Sequence, residues 1–298
     1  MLKNWLEAFR LRTLPLALSC IGMGSFLAAF YGQFSLAVCI LSLTTTLFLQ
    51  ILSNLANDYG DSIHGADSAD REGPKRSVQS GSISSKAMFN SIVVFTALSF
   101  ISGIMLLYFS VGIGSSTFYV FLGLGLAAIA AAIAYTNGKR PYGYSGLGDI
   151  SVFLFFGILG VCGTYFLHAQ SFEALILLPA ASCGLFATGV LNINNIRDIK
   201  SDKAAGKNSI PVRIGMDKAK VYHGLIIISG LISSIIFLLL TNNYKTILYL
   251  FFCYFLFGKH LSNMYKANTS QEFDPQLKIL ALSTLLFVIL FGISILDL

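Results

Sequence analysis

The chain has 298 residues, 55% of them hydrophobic and 11% charged, with a formal net charge of +6. That balance excludes a soluble globular domain, and the lack of a basic groove with interleaved aromatics argues against nucleic-acid binding. Five cysteines are scattered through apolar runs with no close pair, which argues against both a disulfide framework and a thiolate metal site.

A helix needs about 20 apolar residues to cross roughly 30 Å of hydrocarbon. Runs of that kind recur at 14–31, 35–52, 88–108, 117–135, 150–166, 174–191, 222–240, 246–261 and 277–295. They predict an all-α integral membrane bundle of nine transmembrane helices forming one domain over 1–298, because a helix satisfies its backbone polar groups within one segment. The first run follows Lys3, Arg10 and Arg12, but it is too long for a signal peptide and similar runs follow it, so it reads as a retained helix. With the spans placed, 19 of the 20 Lys and Arg residues fall on the side of the N-terminus and Lys245 lies opposite. The N-terminus is therefore expected in the cytoplasm, in a multi-pass protein of the cytoplasmic (inner) membrane.

The loops on the outer side are short and nearly uncharged, whereas 58–86 and 196–218 are long and carry both charge signs. Each leaves the end of an even-numbered span, and Asn-x-x-x-Asp recurs in both, as Asn54/Asp58 and Asn57/Asp61 and as Asn194/Asp198. If the second helix continues past the hydrocarbon, Asn54, Asp58 and Asp61 share one face. If the sixth does the same, so do Asn194, Asp198 and Asp202. Carboxylates at i and i+4 repel one another, and a divalent cation reverses that term. Hard oxygen donors beside amide carbonyls suit Mg²⁺, which keeps waters and is commonly completed by phosphate oxygens. Arg71, Arg76, Arg197 and Lys207 follow closely, so acid-bound metal and fixed cations would both face a departing diphosphate.

These residues resemble the UbiA-type intramembrane prenyltransferases over nearly the whole chain. Asn57-Asp58-Tyr59-Gly60-Asp61 looks like the first aspartate motif of that superfamily and Asp198-x-x-x-Asp202 like the second. The finer likeness is to the 1,4-dihydroxy-2-naphthoate polyprenyltransferases of menaquinone synthesis. It is carried by Arg12-Thr13-Leu14-Pro15, by Gly65-Ala66-Asp67 with Arg71-x-Gly73-Pro74-x-Arg76, by Tyr142-Gly143-Tyr144-x-Gly146-Leu147-Gly148-Asp149, and by Asn194-Asn195-x-Arg197-Asp198 with Gly206-Lys207. Two departures stand out: Gly65 lies where the superfamily often has a third acid, the next being Asp67, and Asn137-Gly138 lies where many relatives carry Gly-Gly.

The resemblance implies an enzyme that transfers a polyprenyl group from polyprenyl diphosphate to 1,4-dihydroxy-2-naphthoate. Carbon dioxide and diphosphate leave, and a demethylmenaquinone forms at the reduced, quinol level. It implies Mg²⁺ held by Asn57, Asp58, Asp61, Asp67, Asn194, Asp198 and Asp202, and substrate contacts from Arg12, Asn54, Asn57, Arg71, Arg76, Lys139, Arg140, Asn194, Arg197 and Lys207. Tyr135 and Tyr142 are candidates for the prenyl channel, where aromatic faces attract an allylic cation, or for anchors at the headgroup level. Asp149 could act on a naphthol hydroxyl or cap the fifth helix. His64 reads as a loop residue, and His168, His223 and His260 show no metal-ligand spacing. Another aromatic acceptor such as 4-hydroxybenzoate, a CDP-alcohol phosphatidyltransferase and a divalent-cation transporter remain as alternatives. The last would place its acids nearer mid-membrane.

Overall fold

The computed structural model describes residues 2–64 and 76–297. Among them the secondary structure is helical. The helices are α1 (Leu2–Ala8), α2 (Leu14–Phe30), α3 (Leu36–Ile63), α4 (Ser85–Val111), α5 (Ser116–Ala134), α6 (Gly148–Ala169), α7 (Leu177–Arg197), α8 (Ile199–Ala204), α9 (Ile210–Ile214), α10 (Met216–Leu240), α11 (Tyr244–Tyr249), α12 (Phe251–Lys266) and α13 (Ser270–Ile295). Asp67 and Arg71 lie outside the described residues.

Helix starts follow local chemistry. Ser35, Ser84 and Ser115 each turn a hydroxyl back onto a first-turn amide. Thr269 and Glu272 form a reciprocal capping box at the start of α13. Pro15 occupies the first turn of α2, where its missing N–H costs nothing. Within α6, residues Phe153–Gly163 wind as a π-helix, a form that usually marks a functional wall.

Eight helices among the described residues are long and apolar enough to cross a membrane. That corrects the expected nine in detail. The predicted eighth span is divided at Leu250 into α11 and α12, neither of which qualifies alone. The broken pair nevertheless runs the height of α13. At one end Ser294 hydroxyl donates to Thr246 Oγ1 at 2.9 Å. At the other, only three residues separate the end of α12 at Lys266 from the start of α13 at Ser270.

Glycines let helices approach closely without small side chains intervening. A Cβ on Gly157 of α6 would lie 2.8 Å from Ala180 O and 3.0 Å from the Cα of Gly184 on α7. The main core joins α2, α7, α10, α12 and α13 around the fully buried Phe186, Phe257, Phe287 and Phe291. A smaller one joins α1, α3 and α4 around Leu52, Leu55 and Met88. Between the two halves lies a cavity. Its walls are α3, α4 and α5 on one side and α2, α6 and α7 on the other.

Candidate active site

The cavity has a volume of about 420 Å³ and is polar at the end where α3 and α7 terminate. Helix α3 does continue beyond the predicted hydrocarbon edge, to Ile63. That extension places Asn54, Asn57 and Asp61 on the cavity wall, with Asn54 and Asp61 about 10 Å apart along the helix. The second stripe is interrupted: α7 ends at Arg197, Asp198 caps it, and α8 restarts at Ile199. Asp198 and Asp202 still reach the cavity, as do Asn194 and Asn195.

Asp61 is the centre of the polar end. It is 2% exposed. Its Oδ2 accepts from Arg76 Nη2 at 3.0 Å, and its Oδ1 accepts from Tyr144 hydroxyl at 2.8 Å and from Lys207 Nζ at 3.1 Å. Lys207 also lies 3.5 Å from Asp202 Oδ1, so one ammonium joins the first aspartate motif to the second. Burial pushes the Asp202 carboxyl up to about 6. Lys207 opposes that rise, while Asp198 and Asp61 add to it.

Asp198 is gripped by its neighbour. Arg197 donates from Nε and Nη2 to the two Asp198 oxygens at 2.8 Å each, and from Nη2 to Asn194 Oδ1 at 2.8 Å. Its remaining nitrogen is held by Asp274 of α13, which also accepts from Arg12 Nη1 at 3.3 Å. Arg10 and Arg12 line the cavity beside Thr13, Gln50 and Asn54. Asn54 spends its amide on Phe9 O at 2.9 Å and Thr13 Oγ1 at 3.1 Å, which fastens this basic corner to α3.

Other expected residues lie elsewhere. Asp58 is buried and is not among the residues lining the cavity; its carboxylate accepts from the backbone amides of Ser77 and Val78 at 3.1 and 3.4 Å. It anchors the chain where the first motif's loop returns. Asp149 also does not line the cavity: its Oδ2 accepts from Tyr222 hydroxyl of α10 at 2.9 Å. Lys139 and Arg140 are exposed and away from the cavity. The loop that carries them serves α3 instead, since Thr136 Oγ1 and Asn137 Nδ2 donate to Ala56 O at 3.1 and 2.9 Å. His64 bonds Gly60 O and Gly138 O, as a loop residue should.

Tyr135 and Tyr142 both line the cavity and meet edge to face at 5.3 Å. Burial, and next the nearby Asp149, raises the Tyr135 phenol, so it stays neutral. Tyr142 donates to Ala131 O at 3.0 Å, which fixes its ring against α5. Tyr144, Asn195, Arg10 and Asp274 are site residues that the sequence reading did not pick out. Tyr144 lay inside the glycine-rich segment already singled out, and Asp274 is a carboxylate at the start of an apolar run.

The donor set fits Mg²⁺ in kind, with carboxylate and amide oxygens from both walls at one end of the cavity and room for phosphate oxygens. Among the described residues, no three His, Cys, Asp or Glu side chains are close enough to enclose an ion by themselves. Asp61 and Asp202 approach one another through Lys207.

A model of the UbiA prenyltransferase family matches residues 17–285. The chain is 43% identical to a 1,4-dihydroxy-2-naphthoate octaprenyltransferase of Haemophilus influenzae, over 99% of this chain and 96% of that protein. It is 47% identical to the Escherichia coli protein of the same name, over 78% and 75% respectively. The fold is similar to the apo structure of a UbiA homolog from Aeropyrum pernix K1, with a TM-score of 0.70 at 17% identity over 97% of this chain and 98% of that one. It is also similar to a UbiA homolog from Archaeoglobus fulgidus bound to GPP and Mg²⁺, with a TM-score of 0.63 at 18% identity over 99% and 100%.

Proposed function

The chain belongs to the UbiA prenyltransferase family, and from that premise we propose that it moves a polyprenyl group from its diphosphate onto 1,4-dihydroxy-2-naphthoate. The observation that carries this reading is the identity of 43% and 47% to two naphthoate octaprenyltransferases. The basic membrane face supports a location in a bacterial cytoplasmic membrane, with the polar cavity end toward the cytoplasm. Octaprenyl diphosphate, the donor in both relatives' names, is the first length to test.

Asp61, Asp198 and Asp202, with Asn57 and Asn194, would hold Mg²⁺, which supplies neutralisation of the leaving diphosphate. Arg76 and Lys207 add fixed cations at the same end, where partial burial makes each worth more than in water. The apolar length of the cavity takes the prenyl chain, and Tyr135 and Tyr142 offer ring surfaces to the allylic cation. Excluding water keeps that cation for the aromatic ring.

The acceptor brings a second anion, its carboxylate, which has to sit apart from the diphosphate. Arg12 and Arg10 form a basic corner about 10 Å along α3 from Asp61, and Arg12 takes the carboxylate there. Arg12 is already half satisfied by Asp274, so the grip orients the carboxylate without holding it too tightly to leave.

The electrons balance without a base. The ring carbon bearing the carboxylate attacks the cation, and the carbon–carboxylate bond then breaks to return its pair to the ring, releasing carbon dioxide. No proton has to depart, which accords with Asp149 being engaged by Tyr222 rather than aimed at the cavity. Asp149 acts as a positioning residue for the loop that carries Tyr142 and Tyr144.

Incubating purified protein with Mg²⁺, octaprenyl diphosphate and a panel of aromatic acids, with products identified by mass, tests this reading. Prenylation of the naphthoate is expected. A product from 4-hydroxybenzoate alone would overturn it.

A further inference from the structure

Lys207 is delivered to the acids by a braced turn. Two residues past the end of α8 stands Gly206, whose φ of +74° favours glycine, and Lys207 N–H returns to Asp202 O at 2.9 Å. The next residue is fixed from the other side, since Asn208 N–H donates to Tyr144 O at 2.8 Å. The side chain then runs across the Tyr144 ring, with Nζ 4.8 Å from its centroid, to Asp61 and Asp202. Its orientation is therefore built by the fold. The ammonium takes oxygens that a divalent cation bridging the two motifs would also need.

We propose that Lys207 is a tethered cation that occupies the place of the metal between Asp61 and Asp202 and is displaced onto the diphosphate when metal and diphosphate arrive together. The proposal rests on the reading that these acids bind a divalent cation. With the ammonium in place the two carboxylates are screened from one another, so the site is stable without metal. A metal arriving alone has to draw the ammonium away from two carboxylates that it already holds. With diphosphate present, the ammonium gains phosphate oxygens as it leaves the carboxylates. Metal and diphosphate therefore assist one another's binding, and the coupling is reciprocal. The result is a site that does not load with metal until its anionic substrate is there.

Binding of Mn²⁺, as a spectroscopic substitute for Mg²⁺, to the full chain in detergent tests this directly. Electron paramagnetic resonance reads the bound fraction, with and without inorganic diphosphate and with the ion's own complexation by diphosphate subtracted. Wild type should bind Mn²⁺ alone weakly and about tenfold more tightly with diphosphate, a coupling of about 1.4 kcal/mol. Lys207→Met should bind Mn²⁺ alone about tenfold more tightly than wild type and lose most of the diphosphate effect. Lys207→Arg, which keeps the charge, should restore the wild-type pattern. Melting in chelator, lowered in Lys207→Met and recovered on adding Mn²⁺, would show that this variant is folded and that its acids repel. Equal or weaker Mn²⁺ binding by Lys207→Met than by wild type overturns the tethered-cation proposal while leaving the metal site standing. Unchanged Mn²⁺ binding in Asp61→Asn removes the metal reading itself, and the proposal with it.

Discussion

At the scale of single residues, the four motif aspartates divide into two kinds. Asp61, Asp198 and Asp202 line the cavity, whereas Asp58 holds the backbone of Ser77 and Val78. Alanine at any of the first three should lower turnover about 100-fold or more, the scale seen when one charge-stabilising group is lost; at Asp61 and Asp198, whose buried cationic partners would be stranded, it should lower the melting temperature as well. Asp58→Ala should also lose stability, by about 1–3 kcal/mol, because it strands two amides. Mn²⁺ binding measured beside thermal melting separates the kinds, with affinity lost at the three cavity acids and kept in Asp58→Ala. The raised carboxyl of Asp202 gives a pH prediction. Its folded value of about 6 lies above the ordinary 3.8, so this group favours the folded, metal-free chain at low pH, an advantage lost as pH rises through about 6. Metal needs the ionised form. Mn²⁺ affinity should thus weaken as pH falls below about 6, and Asp202→Asn should lose that dependence along with most of the affinity. The motif acids and Lys207 were legible from residue type and spacing. Asp58 was grouped with Asp61 because the two lie only about 60° apart around α3; what separates them is the return of the Ser77 and Val78 amides onto Asp58, which spacing does not show. Asp274 was missed because its two arginine partners, Arg12 and Arg197, lie 262 and 77 residues before it in sequence.

At the scale of elements, apolar runs located every long helix, but their ends follow capping and not hydropathy. Hydrophobicity fades after Leu52, yet α3 runs on for three turns because its Ala56 carbonyl and Asn57 side chain find partners in the loop at Thr136 and Asn137. The same reading over-extended α7, where Asp198 takes the cap position and bends the chain into α8. Gly60 makes the first junction possible: a Cβ there would lie 2.6 Å from Thr136 O. Gly60→Ala should therefore push the loop from α3 and cost about 1–3 kcal/mol of stability. Turnover should fall further than stability alone explains, since Asp61 is next in sequence. A wild-type melting temperature in this variant would contradict the packing argument. The π-helical course of α6 had no sequence signal, because it is set by how Gly157 and Gly160 meet α7 and α2.

For the molecule as a whole, charge and hydropathy were enough to give a helical membrane bundle with its chemistry on one face. The division between two half-bundles enclosing a cavity was not readable, since it depends on which apolar faces find helices and which find the prenyl channel or lipid. Helix α5 illustrates this, being apolar throughout and yet little buried, with one side on the cavity. The broken pair α11 and α12 decides the topology. Because it spans the height of α13, a reporter fused after Leu298 should lie outside the cytoplasm, and a cytoplasmic reporter would mean that 244–266 turns back. The account as a whole stands on the replacement of a carboxylate by a prenyl group, driven by an acid-held metal and steered by a basic corner for the acceptor. Carbon-labelled carboxylate on 1,4-dihydroxy-2-naphthoate measures that replacement. Labelled carbon dioxide should appear one for one with prenylated product in the presence of Mg²⁺ and octaprenyl diphosphate; a prenylated product that retains all of its label would contradict the account.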